Sequence, residues 1–345
     1  MNTSDHSFSK YIQILGKGRR GARDMTREEA CEAMGKILAG EVSPVQLGAF
    51  LMLMRVKEET ALEMAGFVQA ARSSLAYVSQ SQVSLDWACY AGKRRQLPWY
   101  LLSALLMANH GYSVLMHGVG EGTPGRVYVP QVMSVMGLLT ASSMLEADQQ
   151  LSAGKFAFLP LKCISPALDS LLELKPVLGL RSPVHSLVRM LNPFKATASI
   201  LGIFHPGYDL IHQQAGHFLG DMHQAVFKGE GGEPERNPDT GCTVRLLRFS
   251  GMMDQEWEAH FNQRHLKDEL MDLSRLQQVW QGEREDEYGI EAVIATAAIA
   301  VTLVNDEGDP LPQDKALAMA RELWSSRDPY FLERLSQKSK GARNG

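Results

Sequence analysis

The sequence predicts a small N-terminal helical domain followed by a larger α/β domain with a mostly parallel sheet. Within the first 75 residues, three capping boxes precede apolar residues at helical spacing. From about residue 80, short apolar or β-branched segments alternate with helix-like segments, which is the pattern of an α/β domain. The chain has 345 residues, of which 45% are hydrophobic and 21% charged, values typical of a globular protein with a full-sized core.

The N-terminal helices have explicit start signals at residues 26–29, 43–46 and 60–63. In each of these capping boxes, a hydroxyl accepts an otherwise unpaired backbone N–H and the residue three positions later reaches back. Pro44 suits the first position of a helix. The predicted helical domain spans residues 1–78. Its dense apolar surface leads us to expect contact with the rest of the chain or with a second copy of the protein.

The α/β domain is predicted to span residues 79–335. Its predicted strands are 83–90, 113–117, 156–161 and 199–204, and its predicted helices include 98–110, 130–137 and 290–304. The longest apolar stretch, 292–304, has 13 residues and is too short to span a bilayer, so we expect no membrane segment. The basic tail, 336–345, is expected to be mobile.

Composition predicts a cytoplasmic protein. The start of the chain lacks the pattern of a signal peptide, and the four cysteines are far apart, without C-x-x-C or metal-finger spacing. The net charge is −4, but residues 91–220 carry ten basic against six acidic side chains. The negative net charge argues against a uniformly basic surface, whereas the basic excess in residues 91–220 still allows a local groove that binds an anion.

The densest basic cluster is Lys93, Arg94 and Arg95, between a predicted strand and a predicted helix. At such a turn an α/β fold presents backbone N–H groups and a positive helix end to phosphate. Trp99 and Tyr100 follow, and aromatic rings beside cations suit the stacking of nucleic-acid bases. The alternative is a solvated loop.

A second basic cluster lies in a glycine-spaced loop before the first capped helix and consists of Lys17, Arg19, Arg20 and Arg23. Flexible glycines with cations suit a phosphate backbone. An ordinary entry loop explains the same residues.

Two other loops are weaker candidates. The glycine-rich residues 117–126 follow a predicted strand and suit phosphate binding, although a plain turn has the same glycines. The acidic residues 229–235 contain oxygen ligands suited to Mg²⁺. Pro234 stiffens this segment and no second carboxylate cluster is evident, so we expect a surface loop. The ten histidines form no H-E-x-x-H pair, and no Ser/His/Asp order stands out.

Two long segments carry the motifs of a known family. Residues 27–67 contain R-E-E-A, I-L-A-G-E-V-S-P-V-Q-L-G-A-F-L, R-V-K-E-E-T and E-M-A-G-F, and residues 178–206 contain L-G-L-R-S, L-N-P-F-K-A and L-G-I-F-H-P. These segments resemble glycosyltransferase family 3, the anthranilate phosphoribosyltransferase type. The resemblance spans nearly the whole chain and implies the fold of that family.

The resemblance fails where the family's enzymes carry their chemistry. Their G-T-G-G-D loop, which holds the pyrophosphate of phosphoribosyl pyrophosphate, aligns with residues 89–93, where Gly92 survives and Lys93 replaces the aspartate. Their K-H-G-N-R becomes M-H-G-V-G at residues 116–120, and their metal-binding Asp-Glu pair becomes Pro234-Glu235.

One further position keeps the family's residue: Arg181 matches the arginine that contacts the aromatic acid. The resemblance therefore implies a vestigial substrate pocket made of Gly92, His117, Gly118, Arg181 and Glu235. Each lost donor or carboxylate costs catalysis about 10²-fold or more, so the resemblance predicts a catalytically degenerate protein.

Basic residues replace the lost loop at residues 93–95, and in this respect the sequence resembles the YbiB-type, TrpD-like branch of the family. That branch shares G-[KR]-G and A-R-D-[LM], here at residues 16–18 and 22–25. The resemblance implies a homodimer built by the N-terminal helical domain and nucleic-acid binding with little sequence specificity.

The main hypothesis is a homodimer that binds the DNA or RNA backbone through the two basic clusters, without a catalytic residue, metal or cofactor. It requires Lys93, Arg94 and Arg95 to be free of ion pairs. The alternative is a phosphoribosyltransferase or related glycosyltransferase for an unidentified acceptor, using Mg²⁺ and phosphoribosyl pyrophosphate with Arg181, Glu235 and the loop at 118–125.

Overall fold

The computed structural model describes residues 7–18, 20–305 and 310–344, and for residues 342–344 the backbone alone. Among the described residues, four helices precede the sheet: α1 (Ser9–Gly16), α2 (Arg27–Leu38), α3 (Pro44–Lys57) and α4 (Ala61–Ser73). All three predicted capping boxes form, at Thr26, Ser43 and Thr60. Helices α2 and α4 lie in direct contact at Gly66, where a Cβ atom would come within 2.3 Å of the Arg27 carbonyl oxygen.

A seven-stranded sheet forms the centre of the α/β domain, in the order β3-β2-β1-β4-β5-β6-β7. Its strands are β1 (Leu85–Cys89), β2 (Val114–Gly118), β3 (Phe156–Pro160), β4 (Ala198–Ile203), β5 (His223–Lys228), β6 (Cys242–Arg248) and β7 (Gly251–Trp257). Strands β1 to β5 are parallel, and β6 and β7 add an antiparallel hairpin. The predicted fold class is confirmed, although the sequence analysis missed β5 and the hairpin.

The remaining helices lie around the sheet. They are α5 (Tyr100–Asn109), α6 (Val129–Val135), α7 (Met144–Gly154), α8 (Leu161–Ile164), α9 (Pro166–Leu172), α10 (Lys175–Leu178), α11 (Val184–Leu187), α12 (Tyr208–Leu219), α13 (Ser274–Gln281), α14 (Glu287–Val304), α15 (Gln313–Ser325) and α16 (Phe331–Asn344). Short 3-10 turns occur at Val188–Met190 and Glu230–Gly232.

Two apolar clusters cover the two faces of the sheet, because successive strand residues point to opposite sides. Trp87 and Ile200 belong to the cluster with α5, α14 and the C-terminal helices. Their neighbours Ala88 and Leu201 belong to the cluster that includes α1 to α4. The N-terminal helices therefore share a core with one face of the sheet.

Helix α14 is 18 residues long, with a mean hydropathy of 1.6, and is long and apolar enough to cross a membrane. The predicted helix, 290–304, lacks the first three residues of α14, so the apolar stretch of 13 residues is only part of a longer apolar helix. In the structure 78% of the helix is buried against the sheet and its neighbours, the environment of a core helix.

The C-terminal residues differ from the predicted mobile tail, because α16 continues through Asn344. The Ser336 hydroxyl donates a hydrogen bond to the Gly137 carbonyl oxygen at 2.7 Å, and Ser339 is buried. Gly345, the last residue of the predicted tail, lies outside the described residues.

Candidate functional site

The loop after β1, residues 90–96, lies at the carboxyl ends of the parallel strands and leads into α5. It is held by a second loop, since Lys93 and Val127 exchange backbone hydrogen bonds of 2.8 and 2.7 Å. Gly92 has φ +68°, and a Cβ atom there would come within 2.7 Å of the Tyr128 ring. Only glycine suits this position, because it combines a left-handed conformation with a close contact.

The Lys93 side chain is buried in an ion pair. Its Nζ lies 2.6 Å from Glu235 Oε1, and the two side chains are 2% and 0% exposed. The other oxygen, Glu235 Oε2, accepts the Tyr100 backbone N–H at 3.0 Å. Burial raises the pKa of the Glu235 carboxyl, and the Lys93 ammonium opposes that shift. Both oxygens of Glu235 are therefore engaged within the protein.

A second buried carboxylate, Glu233, occupies the backbone donors of the same loop. Its Oε1 accepts the N–H groups of Ala91 at 2.9 Å and of Gly92 at 2.5 Å. Burial raises the pKa of Glu233, whereas the nearby Arg189 guanidinium acts to lower it. The donors that an external anion would use are thus already satisfied by the protein.

The segment that carries these carboxylates, residues 229–236, lies directly on β4. A Cβ atom at Gly202 would come within 2.2 Å of the Glu233 carbonyl carbon. Arg189, which is also buried, donates to the carbonyl oxygens of Gly202 at 3.0 Å and Gly232 at 3.1 Å. One arginine therefore holds this segment to the strand and supplies positive charge near Glu233.

Strand β2 contributes a buried histidine to the region. His117 is fully buried, with Nδ1 2.7 Å from the Tyr90 hydroxyl and Nε2 3.2 Å from Asp86 Oδ2. The next residue, Gly118, lies so close to β1 that a Cβ atom would meet the Cys89 carbonyl oxygen at 1.9 Å. His117 thus lies inside the sheet rather than in an open pocket.

A cavity of about 660 Å³ opens beside these groups and is called here the main cavity. Tyr90, Tyr128 and Arg181 are among the residues that line it. Burial, followed by the positive charges of Arg126 and Arg55, lowers the pKa of Arg181. A smaller cavity of about 60 Å³ shares Arg181 and extends to Arg55 of the helical domain. This end of the main cavity is cationic.

The exposed cations lie outside these cavities. Arg94 and Arg95 are exposed, and within the described part of the chain neither side chain has an ion-pair or hydrogen-bond partner. In the N-terminal loop, Lys17 and Arg20 are exposed as well. Arg23 instead pairs with Glu29, at 2.6 and 2.7 Å.

Comparison with known proteins agrees with this geometry at the level of the fold. Residues 10–75 match the helical bundle domain of a glycosyl transferase family. The uncharacterized protein YbiB of Escherichia coli is 27% identical over 252 residues, 71% of this chain and 78% of YbiB. The anthranilate phosphoribosyltransferase of Beijerinckia indica is 29% identical over 229 residues, 66% of each chain.

A crystal structure of anthranilate phosphoribosyltransferase from Thermus thermophilus superposes with a TM-score of 0.77 at 22% identity, covering 96% of this chain and 99% of that one. This likeness shows the fold. The chain therefore shares the fold of the anthranilate phosphoribosyltransferases, and its residues 10–75 match the helical bundle domain of a glycosyl transferase family.

The structure corrects part of the predicted nucleic-acid site. Lys93 is buried and paired, so it is not available to a phosphate backbone, and the requirement that all three cations be free of ion pairs fails for this residue. Trp99 and Tyr100 are also buried, so they are not available to stack with bases. Arg23 is engaged with Glu29, and Arg19 lies outside the described residues.

The predicted vestigial pocket is divided between the interior and a cavity. Arg181 lines the main cavity, whereas Gly92, His117, Gly118 and Glu235 are buried and do not line it. The acidic segment expected to be a surface loop contains two fully buried carboxylates, because both fold back onto the loop after β1. In the described part of the chain, no group of three metal-binding side chains is found.

The sequence patterns did not mark Arg189 or Asp86, and they did not predict the contacts of Glu233 and Tyr90, which lie in the two segments already singled out. Glu233 bonds to a residue 141 positions earlier, and no local pattern marks such a contact. Asp86 did carry a signal, because it is an acidic residue within a five-residue strand that is otherwise apolar.

Proposed function

We propose that this protein binds the backbone of DNA or RNA without sequence specificity and has lost the diphosphate and metal chemistry of a phosphoribosyltransferase. The observation that carries the proposal is the pair of buried carboxylates at the loop after β1. Glu233 takes the backbone donors of Ala91 and Gly92, and Glu235 takes the Lys93 ammonium. Arg94 and Arg95 remain on the surface of the same loop.

Charge explains why this arrangement disfavours the small substrate. A diphosphate at the loop would compete with Glu233 for the same N–H groups and would meet a like charge there. A Mg²⁺ ion at Glu235 would have to displace Lys93 from a carboxylate that has no free oxygen. Catalysis of phosphoribosyl transfer depends on such donors and ions, because they stabilise the departing diphosphate.

The exposed cations define the proposed interface. Arg94 and Arg95 extend from the loop after β1, and Lys17 and Arg20 extend from the loop before α2. Contacts of this kind go to phosphate oxygens, so they position the nucleic acid and carry no base information. Binding should therefore tolerate changes of sequence and weaken steeply as salt is added.

We also propose that the protein is a homodimer formed by the helical domain. Val45 and Val56 of α3 are each 82% exposed, as is Val177 of α10. The two helices are neighbours, because a Cβ atom at Gly48 would lie 4.0 Å from the Leu178 side chain. A second copy would cover this apolar surface, and two copies of each basic cluster would raise the affinity for a long polyanion.

The four free cysteines suit the cytoplasm, where we place this activity.

The test is a fluorescence-anisotropy titration of labelled single- and double-stranded DNA and RNA at several salt concentrations. The double variant R94A/R95A should bind more weakly. Its negative slope of log binding constant against log salt concentration should become less steep by about 0.7–0.9 for each phosphate that the variant no longer neutralises. The matched control is K162A/K315A, which removes two exposed cations from α8 and α15. The proposal fails if the wild type does not bind, or if both variants weaken binding equally.

One observation favours a second function, a phosphoribosyltransferase. The main cavity retains Arg181 at its cationic end, and the relative from Beijerinckia indica is named as an anthranilate phosphoribosyltransferase. Calorimetry with phosphoribosyl pyrophosphate, with and without Mg²⁺, separates the two functions. We expect no binding at millimolar ligand. Mg²⁺-dependent binding in the micromolar range would establish the transferase instead.

A further inference from the structure

A long irregular segment, residues 258–273, connects β7 to α13 and contacts the loop after β1. The Asp268 backbone N–H donates a hydrogen bond to the Arg95 carbonyl oxygen at 2.8 Å. A connection of this length without a helix or strand is uncommon in a compact domain, and such connections often have a binding role. The segment therefore borders the surface on which Arg94 and Arg95 are exposed.

Two leucines of this segment have the most exposed large apolar side chains in the described part of the chain. Leu266 is 97% exposed and Leu270 is 85% exposed. They lie two residues before and two residues after Asp268, so the Cα atom of each is at most about 7.6 Å from that of Asp268. Because Asp268 is bonded to the Arg95 backbone, both leucines lie near the exposed arginines.

Polar contacts on both sides of Leu266 hold the segment in place. The His265 backbone N–H donates to Asp239 Oδ2 at 2.8 Å, and His265 Nδ1 lies 2.7 Å from Asp239 Oδ1. Arg275 donates to both oxygens of Asp268, at 2.7 and 2.8 Å. Since its neighbours are fixed, Leu266 does not fold back onto the protein. A side chain held in this way loses little conformational entropy when a partner covers it.

Charged side chains determine where phosphate groups can lie near the two leucines. Arg264 is exposed without a partner in the described part of the chain, and it adds to the positive charge near Leu266. Glu269 and Asp272 are exposed beside Leu270 and repel phosphate. A bound nucleic acid would therefore have its phosphates toward the arginines and its bases toward the leucines. An anionic membrane fits less well, because its phosphates would cover the acidic side chains too.

We propose that Leu266 and Leu270 pack against unpaired bases of a single-stranded nucleic acid whose phosphates bind Arg94 and Arg95. This inference rests on the proposed function and adds the form of nucleic acid that the protein prefers. Every base has an apolar face, so the contact tolerates changes of sequence. A base in a duplex becomes accessible only at the cost of unstacking, so single strands should bind more tightly than duplexes.

The probe is a labelled oligothymidylate, compared with an abasic oligomer of the same length. Both oligomers carry the same phosphates, so contact with bases is what separates their affinities. The wild type should bind the oligothymidylate about tenfold more tightly, a factor that burial of one leucine side chain can supply. L266S/L270S should bind the two oligomers nearly equally. The matched control, L62S/L145S, replaces two exposed leucines of α4 and α7 and should keep the wild-type difference.

Salt dependence separates the leucines from the arginines. L266S/L270S should lower the binding constant for oligothymidylate by about tenfold at every salt concentration and keep the wild-type slope, because an apolar contact releases no counterions. R94A/R95A should make the slope less steep. Circular dichroism checks that each variant folds, and the comparison of the two oligomers in the wild type needs no variant.

The outcomes distinguish this inference from the proposed function. If the wild type binds both oligomers equally and R94A/R95A weakens that binding, the base contact is overturned and backbone binding stands. If the wild type binds neither oligomer, both proposals fail. Sedimentation with phosphatidylglycerol vesicles tests the membrane alternative. Vesicle binding by the wild type that L266S/L270S loses, without an effect on oligothymidylate, would assign the leucines to a membrane and overturn the base contact.

Discussion

Lys93 illustrates how one side chain changes the chemistry available to a loop. Its position, between a strand and a helix and beside two arginines, is typical of a phosphate site. A carboxylate from a segment more than a hundred residues later instead takes its charge, because Glu235 is buried beneath the loop. The exposed arginines and the buried lysine are adjacent in sequence and have opposite environments.

Replacing Lys93 tests the buried pair. K93M leaves the Glu235 carboxylate buried without its cation, and breaking such a pair costs about 3–5 kcal/mol of unfolding free energy. K93M/E235Q should recover much of this loss, because the neutral amide still accepts the Tyr100 N–H and buries no charge. Urea denaturation measures both variants. A K93M variant with the same free energy of unfolding as the wild type would contradict the structure of this site.

The pair between Arg23 and Glu29 gives a prediction for pH. The hydrogen bond from Arg23 lowers the pKa of Glu29 from 4.5 to about 2. Because the folded value lies below the ordinary one, the pair stabilises the protein above pH 4.5 and loses this effect as the pH falls toward 2. R23A should therefore lower the free energy of unfolding slightly at pH 7, as the loss of other exposed pairs does, and less at pH 3. Urea denaturation at both pH values measures this loss, and K315A is the control. If R23A lowers the free energy of unfolding equally at pH 7 and pH 3, the interpretation is wrong.

Sequence analysis located the basic residues of the candidate site but not their environment. Arg94 and Arg95 were predicted to be available and are exposed, whereas Lys93 and Arg23 were predicted to be available and are paired. Pairing depends on a partner brought near by folding, and the partner of Lys93 lies 142 residues away. A local pattern reports the charge of a side chain and not its burial.

The helices with capping boxes were predictable because their start signals are local. The four predicted strands were also found, since each is a short apolar run between helical segments. The hairpin of β6 and β7 was missed, and β7 alternates between half-buried and exposed residues with a charged or polar side chain at several positions. Such a strand lacks the apolar run that marked the others.

The contact between α2 and α4 depends on a glycine. G66A places a methyl group against the Arg27 carbonyl oxygen, at 2.3 Å, and a backbone atom cannot move aside as a flexible side chain can. We expect G66A to lower the free energy of unfolding by about 1–3 kcal/mol, the usual cost of overpacking. The matched control is G35A in α2, where a Cβ atom meets nothing within 4 Å. G35A should raise the free energy of unfolding by about 0.5–1 kcal/mol through helix propensity. Thermal unfolding would contradict the prediction if the unfolding temperatures of both variants shifted in the same direction.

The helical domain presents one apolar surface to the sheet and another to solvent. Its inner residues share a core with the α/β domain, whereas Val45 and Val56 on α3 are exposed in the single chain. This division makes the proposed dimer testable without disturbing the fold.

The variant V45D/V56D should convert the proposed dimer into a folded monomer, because two charges would have to be buried in the interface. Sedimentation velocity measures the change, and circular dichroism confirms the fold. V78D/V135D is the control, since these exposed valines lie outside α3 and should leave the association unchanged. A wild type that sediments as a monomer, or a variant that remains dimeric, would exclude this interface.

Helix α14 has a consequence for synthesis. This apolar helix of 18 residues is made before α15 and α16, which complete the cover over this side of the sheet. A ribosome therefore exposes a segment that resembles a membrane anchor before its last protective helices have emerged. Until then, the nascent chain depends on the strands already made, or on a chaperone, to keep that segment from insertion or aggregation.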